Sequence, residues 1–308
     1  MTSPFGSMLL IANPAAGRGR KPVLPRLRTA LEARGLDHEV TTTRGPGHAG
    51  TLAREAIEER GLRFVVAVGG DGTVHEIVNG IVDPEHGAQG DHFVLGVVPA
   101  GSGCDFARTF GLDRSPERLA RHLDGAEFYP VDVGRVRLNG RDDQPRAVLF
   151  VNVAEAGYGG VVVERANRLP RFLGASRYLF GVFAAIRHFG VRPARLVLDH
   201  TEVSGTLSNL VVANGQFFGG GMKVAPRAVP DDGRFNVQLW RGSPKDVFLM
   251  TPRIRKGEHV PHPEIQEYQS SRVEIHADEP LLVEADGEVL GTTSAIFDLL
   301  PKALNLKI

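Results

Sequence analysis

The segment Phe64-Val65-Val66-Ala67-Val68-Gly69-Gly70-Asp71-Gly72-Thr73-Val74-His75-Glu76 constrains the fold most, because an apolar run enters a glycine-rich corner and leaves it as a helix. The five apolar residues read as a central strand. Val74, Ile77, Val78, Ile81 and Val82 then recur at i, i+3, i+4, i+7 and i+8, as on one buried helix face. Glycines in the corner permit close backbone approach, and the first N–H groups of a helix have no partner inside it, so the turn suits a phosphate. Asp71 is the discordant residue. A carboxylate beside phosphates is repelled unless a divalent cation or a proton-transfer role compensates, which points to metal-nucleotide chemistry. A tight strand-to-helix turn with an aspartate cap is the alternative.

The first third of the chain repeats this rhythm. Strands are predicted at Met8 to Ala12, Glu39 to Thr43, Phe64 to Val68 and Phe93 to Val98, with helices near Val23 to Arg34, His48 to Glu59, after Gly72 and from about Ser102. Such alternation indicates an α/β domain with a mainly parallel sheet and flanking helices, which binds ligands at the carboxyl ends of its strands. After about Glu127 strands dominate: Val131 to Leu138, Ala147 to Ala154, Arg195 to Leu198, Leu207 to Ala213, Phe235 to Trp240, Arg272 to His276 and Leu281 to Glu284. Asn139-Gly140, Asp232-Gly233 and Asp286-Gly287 are turn signals, so a β-rich, antiparallel, sandwich-like domain is expected, with a helical insertion near residues 158 to 189. The expected boundaries are 1–127 for the first domain and 128–300 for the second. Ser294 to Leu300 and a tail of about 301–308 are candidates for a return to the first.

With 36 basic and 36 acidic residues, the chain gives no general reason to expect nucleic acid. One cysteine, Cys104, forms no internal disulfide, and no apolar stretch is long enough to span a bilayer, so a cytoplasmic protein is expected. Seven arginines and no Asp or Glu occur between Arg165 and Arg195, mixed with aromatic and aliphatic residues. That bias fits either peripheral contact with anionic lipid at the inner membrane surface or a core helix with solvated arginines.

Four polar or glycine-rich turns end the four strands of the first domain. Asn13-Pro14-Ala15-Ala16-Gly17-Arg18-Gly19 offers an amide, backbone donors and a cation; Thr43 opens a second turn, whose Gly45 to Thr51 spacing lacks the lysine of a P-loop. Gly69 to Thr73 is the third. Pro99-Ala100-Gly101-Ser102-Gly103-Cys104-Asp105 is the fourth; it has Phe106 where a dinucleotide fingerprint needs its third glycine, which argues against a Rossmann dehydrogenase. In the second domain, Pro226 to Gly233 concentrates carbonyls and two carboxylates, suited either to a hard cation or to a plain Asp-Gly hairpin. Glu284-Ala285-Asp286-Gly287-Glu288 gathers three acids, whose mutual repulsion would raise one pKa toward that of a general base.

Taken in order, Asn13-Pro14 with Gly17, Gly69-Gly70-Asp71-Gly72-Thr73 with Asn79-Gly80, Pro99 to Arg108, and Asp286-Gly287-Glu288 resemble the bacterial lipid kinases related to diacylglycerol and sphingosine kinases, in the NAD kinase and 6-phosphofructokinase-like superfamily. The resemblance spans almost the whole chain. It implies ATP-dependent phosphorylation of a lipid hydroxyl in a cleft between a nucleotide-binding domain and a lipid domain. By motif it implies nucleotide contacts from Asn13, Thr43, Gly69, Gly70, Asp71, Gly72, Thr73, Val74, His75, Gly101, Ser102 and Asp105, with Asp71 and Asp105 as positioning acids. It further implies Glu288 as proton acceptor beside Asp286, and a magnesium loop of main-chain oxygens from Val229 and Arg234 with the Asp232 carboxylate. Cys104 departs from the family, which commonly has asparagine there.

The expected partners are therefore nucleotide and a lipid at a membrane surface, and a homodimer is compatible with the sequence. An NAD kinase or other non-lipid kinase of the same superfamily, or a non-catalytic lipid or nucleotide binder, is the alternative. The apolar residues from Phe172 to Phe189 favour lipid, as the lining for acyl chains.

Overall fold

The structure, a computed structural model, describes residues 3–16, 23–87, 93–101, 103–112, 115–139, 145–169, 180–182, 185 and 190–308. The chain forms two compact units, Met1–Val131 with Pro301–Ile308, and Asp132–Leu300. It passes from the first to the second within strand β5 (Phe128–Asn139) and returns within β16 (Ala295–Lys307).

In the first unit β1 (Met8–Ala12), β2 (His38–Thr42), β3 (Phe64–Gly69) and β4 (Val94–Pro99) form a parallel sheet in the order β2-β1-β3-β4, to which the end of β16 adds through Leu306 beside Leu95. β1, β3 and most of β4 are buried along their length, as expected of parallel strands covered on both faces. One face packs Leu10, Phe64, Val66 and Val98 against Leu27 and Leu31 of α1 (Val23–Glu32) and Leu119 and Leu123 of α5 (Pro116–Asp124). α5 was not among the predicted helices, although Ser115-Pro116 is a start signal: the Ser115 hydroxyl accepts the Arg118 N–H at 3.4 Å.

On the other face lie α2 (His48–Glu58) and α3 (Asp71–Ile81), which meet backbone to backbone at Gly50 and Gly80. A Cβ on Gly50 would stand 2.5 Å from the Glu76 carbonyl oxygen. The fourth predicted helix begins at Asp105, as α4 (Asp105–Thr109).

The second unit is a sandwich. One sheet runs β12 (Ile265–Ser270), β11 (Phe235–Trp240), β10 (Asn209–Ala213), β7 (Val153–Gly157), β14 (Leu282–Ala285) and β15 (Glu288–Thr292), all antiparallel. Facing it are β8 (Arg192–Leu198), β9 (Glu202–Leu207), β13 (Arg272–Ala277), the start of β16, and the hairpin of β5 with β6 (Pro145–Phe150). Phe150, Leu196, Val212, Phe235, Val283 and Phe297 share the core between the sheets.

Three predicted segments are corrected. Ala147 to Ala154 is two strands, because at Val151 and Asn152 the chain leaves one sheet for the other and its N–H groups turn to the Asp286 carboxylate. Leu207 to Ala213 likewise splits at Ser208, whose N–H donates to the Trp240 carbonyl. Ser294 to Leu300 does not return to the first unit: Ala295 to Asp298 pair with β13, and the return begins at Pro301.

The second unit also carries helices α6 (Tyr158–Asn167) and α7 (Pro244–Lys256). Among the described residues no helix is long and apolar enough to cross a membrane. Most of the Phe172 to Phe189 run lies outside the described residues; of the remainder, Val182 and Ala185 pack with Tyr158 and Val162 of α6, and Phe180 is exposed.

Gly50→Ala is expected to lower unfolding free energy by about 1–3 kcal/mol, since two helix backbones must separate, despite a gain of about 1 kcal/mol in helix propensity. Gly45→Ala, with nothing within 4 Å of the added carbon, is expected to change it by less than about 0.5 kcal/mol. Urea denaturation of the two variants checks this.

Candidate functional site

β1 has β2 on one side and β3 on the other, so the loops leaving β1 and β3 diverge and open a crevice at the carboxyl edge of the sheet. Asn13 and the Gly69–Thr73 turn occupy this place. Asn13 is fixed by four bonds: its N–H donates to the Val68 carbonyl at 3.0 Å, its carbonyl accepts the Ala16 N–H at 3.0 Å, its Oδ1 accepts the Ala15 N–H at 2.9 Å, and its Nδ2 donates to the Thr73 hydroxyl at 3.3 Å. Thr43 follows β2 and donates its N–H to the Ala12 carbonyl.

Gly70 caps α3 in an extended conformation without a side-chain cap bond, and its carbonyl accepts the Thr73 N–H at 2.9 Å and the Val74 N–H at 3.3 Å. The loop after β4 lies against this turn. A Cβ on Gly101 would come within 2.6 Å of the Gly70 Cα, so only glycine lets the two backbones meet. Gly72 has open space where a side chain would be.

The carboxylate of Asp71 accepts the Phe106 N–H at 2.9 Å, near the start of α4. Asp71 thus caps the next helix rather than its own, and it joins the third and fourth turns. Cys104 supports the same junction in the left-handed region, φ 55°, with its thiol 3.4 Å from the Gly101 carbonyl and 3.8 Å from that of Gly69. Asparagine, the residue that the resemblance implies here, also tolerates this conformation.

Asp105 is buried, with Arg108 Nε 3.8 Å from its carboxylate. Thr73, Val74 and His75 are buried as well, so any contact from Val74 to a nucleotide is through its backbone. Ser102 lies outside the described residues, as do Gly17, Arg18 and Gly19.

In the second unit Asp286 takes the left-handed conformation, φ 49°, and buries its carboxylate against three backbone donors. Val151 N–H reaches Oδ2 at 2.8 Å; Asn152 and Val153 N–H reach Oδ1 at 2.9 and 3.2 Å. Its own N–H donates to the Val153 carbonyl. Asp286 is therefore a brace. Glu288, two residues on at the start of β15, is exposed to solvent.

The expectation that mutual repulsion raises one acid of this turn needs correction in its cause. The acid raised is Glu284, held well above the usual carboxylate range first by burial and then by the charge of Glu155, with smaller effects from Asp286 and Glu288. Glu155 itself is pushed up to about 7 by burial, against a hydrogen bond from Asn209.

Around Val229 to Arg234, Asp132 does the positioning. It is fully buried, donates its N–H to the Pro230 carbonyl at 2.8 Å and accepts the Gly233 N–H at 2.8 Å. Asn214 Nδ2 donates to the Asp132 carbonyl. Asp232 Oδ1 accepts the Arg234 N–H at 2.9 Å, which leaves its second oxygen and the carbonyls of Val229 and Arg234 as donors to a cation.

This all-oxygen set fits a hard ion such as magnesium. Among the described residues no three His, Cys, Asp or Glu side chains converge, so such an ion would depend on these main-chain oxygens. Asp132 and Glu155 were missed in the sequence, yet each is a single acid inside an apolar strand, Val131-Asp132-Val133 and Ala154-Glu155-Ala156; an unexplained charge in such a run is the signal.

Comparison with known proteins adds the following. The diacylglycerol kinase catalytic domain family matches residues 7–136, and the YegS C-terminal NAD kinase beta sandwich-like domain family matches residues 152–308. A diacylglycerol kinase of Mycobacterium tuberculosis (strain ATCC 25618 / H37Rv) is 30% identical over 308 residues, covering 98% of this chain and 95% of its own. A protein of Klebsiella pneumoniae (strain 342) described as a probable lipid kinase YegS-like is 29% identical over 315 residues, covering 99% and 97%. A solved structure described as a diacylglycerol kinase from Bacillus anthracis str. Sterne shares the fold at a TM-score of 0.71 with 20% identity, over 99% of this chain and 97% of that one.

Asp71→Ala is expected to lower stability by about 1 kcal/mol through loss of the α4 cap, and Asp71→Asn, which keeps an acceptor, by less than about 0.5 kcal/mol. Chemical denaturation of both proteins tests this.

Proposed function

Because the chain belongs to the lipid kinase family that includes diacylglycerol kinases and YegS-like proteins, we propose that it transfers the γ-phosphoryl group of ATP to a lipid hydroxyl, with Glu288 accepting the proton. The observation that carries the assignment of roles is the contrast within one turn. Asp286 spends its carboxylate on three backbone N–H groups, whereas Glu288 is exposed.

In this reading the first unit holds the nucleotide. N–H groups at the start of α3, next to the Gly70–Gly101 approach, receive phosphate oxygens, while Asn13 and Thr73 brace each other at the neighbouring loop. Asp71 holds the third and fourth turns together, so the phosphate floor keeps its shape when charge arrives. Acceleration then comes from positioning and electrostatics, as phosphoryl transfer needs little covalent chemistry from the protein.

The second unit supplies the acceptor side. A lipid hydroxyl beside Glu288 gives up its proton as the oxygen attacks phosphorus, and Asp286 keeps the turn from moving. Val229, Asp232 and Arg234 would hold magnesium, which when bound neutralises charge developing on the phosphates. The lipid requirement places the working enzyme at a membrane surface, and names among the relatives make diacylglycerol the first substrate to try.

Incubation with labelled ATP and vesicles containing diacylglycerol, monoacylglycerol, a sphingoid base, ceramide or phosphatidylglycerol, with an NAD control, tests the reading. Label is expected in at least one lipid and not in NAD. Label in NAD alone would establish a non-lipid kinase, and no ATP consumption with any acceptor would establish a binder.

A further inference from the structure

Glu155 on β7 and Glu284 on β14 are direct partners across an antiparallel strand pair, so their side chains leave the same face of the sheet. Both are buried, Glu284 completely. Glu155 Oε1 accepts from Asn209 Nδ2 at 2.8 Å, and Asn209 Oδ1 in turn accepts the Gly159 N–H at 2.9 Å. The other Glu155 oxygen occupies the space that a Cβ on residue 159 would need, so glycine there makes room for the carboxyl. Glu284 Oε2 accepts the Gly287 N–H at 2.9 Å, but its Oε1 is buried with no hydrogen-bond partner.

Two ionised carboxylates facing each other without solvent are strongly disfavoured, and so is a buried oxygen with no bond. One proton removes both problems. We propose that Glu284 keeps a proton on Oε1, donates it to Glu155, and as a neutral acid positions the Gly287 amide and therefore Glu288 for catalysis. This rests on the reading of Glu288 as the proton acceptor.

Glu284 and Glu155 are positioning residues in this scheme, since neither touches substrate. The Gly287 carbonyl accepts from Asn167 Nδ2 at 3.0 Å, so the peptide groups on either side of Gly287 are bonded, one to Glu284 and one to α6. The charges that act on Glu284 are Glu155 from β7 and Asp286 and Glu288 from its own hairpin; Tyr158 from α6 faces Glu155, and Asn209 from β10 is neutral. Burial and Glu155 hold Tyr158 in its neutral form, and the three carboxylates each favour retention of the proton on Glu284.

The sign of the pH effect follows. With Glu155 raised to about 7 from an ordinary 4.5, and Glu284 raised well above 4.5, the folded protein binds protons that the unfolded chain has released. Stability from the pair is therefore full below the ordinary value and is lost as pH rises through about 7 and beyond.

The test compares wild type, Glu284→Gln, Glu155→Gln and Glu284→Ala in lipid phosphorylation and thermal melting between about pH 5 and about pH 9. Glutamine at 284 keeps an oxygen for the Gly287 N–H and a permanent donor toward Glu155; glutamine at 155 supplies the donor from the other side. Wild-type rate is expected to fall about tenfold per pH unit once the last proton of the pair leaves, and neither glutamine variant should show that fall. Glu284→Ala, which cannot hold Gly287, should be slow at every pH. The melting temperature of wild type should decline with pH more steeply than that of either glutamine variant.

Glutamine variants that reproduce both wild-type pH profiles would overturn the proposal. If one glutamine variant fails to fold, the other decides. If wild type phosphorylates no lipid at any pH, the kinase reading fails, and the melting profiles alone still decide the proton: unequal slopes support it and equal slopes reject it.

Discussion

The bonds that the Asp286 carboxylate accepts from the N–H groups of Val151, Asn152 and Val153 are the contact on which the 286–288 turn depends. It lies where the chain leaves β6 in one sheet and enters β7 in the other, a crossing that leaves Val151 and Asn152 outside both strands while Val153 already pairs with Ala213. Each charge-assisted bond contributes about 1.5–3 kcal/mol, against roughly 1–2 kcal/mol for holding an aspartate in the left-handed region. The balance favours the brace, and its consequence is geometric: β7 and the 286–288 turn form one rigid piece. Glu155, Glu284 and Glu288 all belong to that piece, so the exposed glutamate, the brace and the buried acid pair are parts of one construction.

The strand ends of the first unit are held by a different means. There the sheet order opens a crevice between the ends of β1 and β3, and two glycines let adjacent loops approach to backbone contact. A carboxylate again does structural work, since Asp71 ties the α3 turn to α4. In both units, then, the acid that stands out in the motif is used to shape the loop. Glu288, by contrast, is exposed.

Legibility from sequence followed burial and period. The Phe64 to Val68 strand and the Val74, Ile77 and Val78 helix face were readable because each is set by a local pattern that the parallel sheet simply satisfies. The breaks at Val151–Asn152 and at Ser208 were not, since an apolar run looks the same whether it stays in one sheet or crosses to the other; what decides is a partner 134 residues away in sequence for Asn152, the carboxylate of Asp286. Glu288 was singled out through its motif, while its exposure beside the buried Asp286 came only with the fold. Glu155 was not, because its importance comes from lying opposite Glu284, a register that no stretch of either strand encodes alone. The Val229 to Arg234 loop was marked in the sequence by its Asp-Gly turn, while Asp132, which shapes it, is 101 residues before Gly233.

The central claim is that one exposed carboxylate takes the proton while its neighbour holds the turn. Single-turnover transfer of labelled phosphate from ATP to lipid by Glu288→Gln, with nucleotide binding followed by calorimetry on the same preparation, tests it most directly. The account requires wild-type nucleotide affinity together with a rate lower by about 10²- to 10⁴-fold. Transfer at the wild-type rate by the folded Glu288→Gln protein would contradict it.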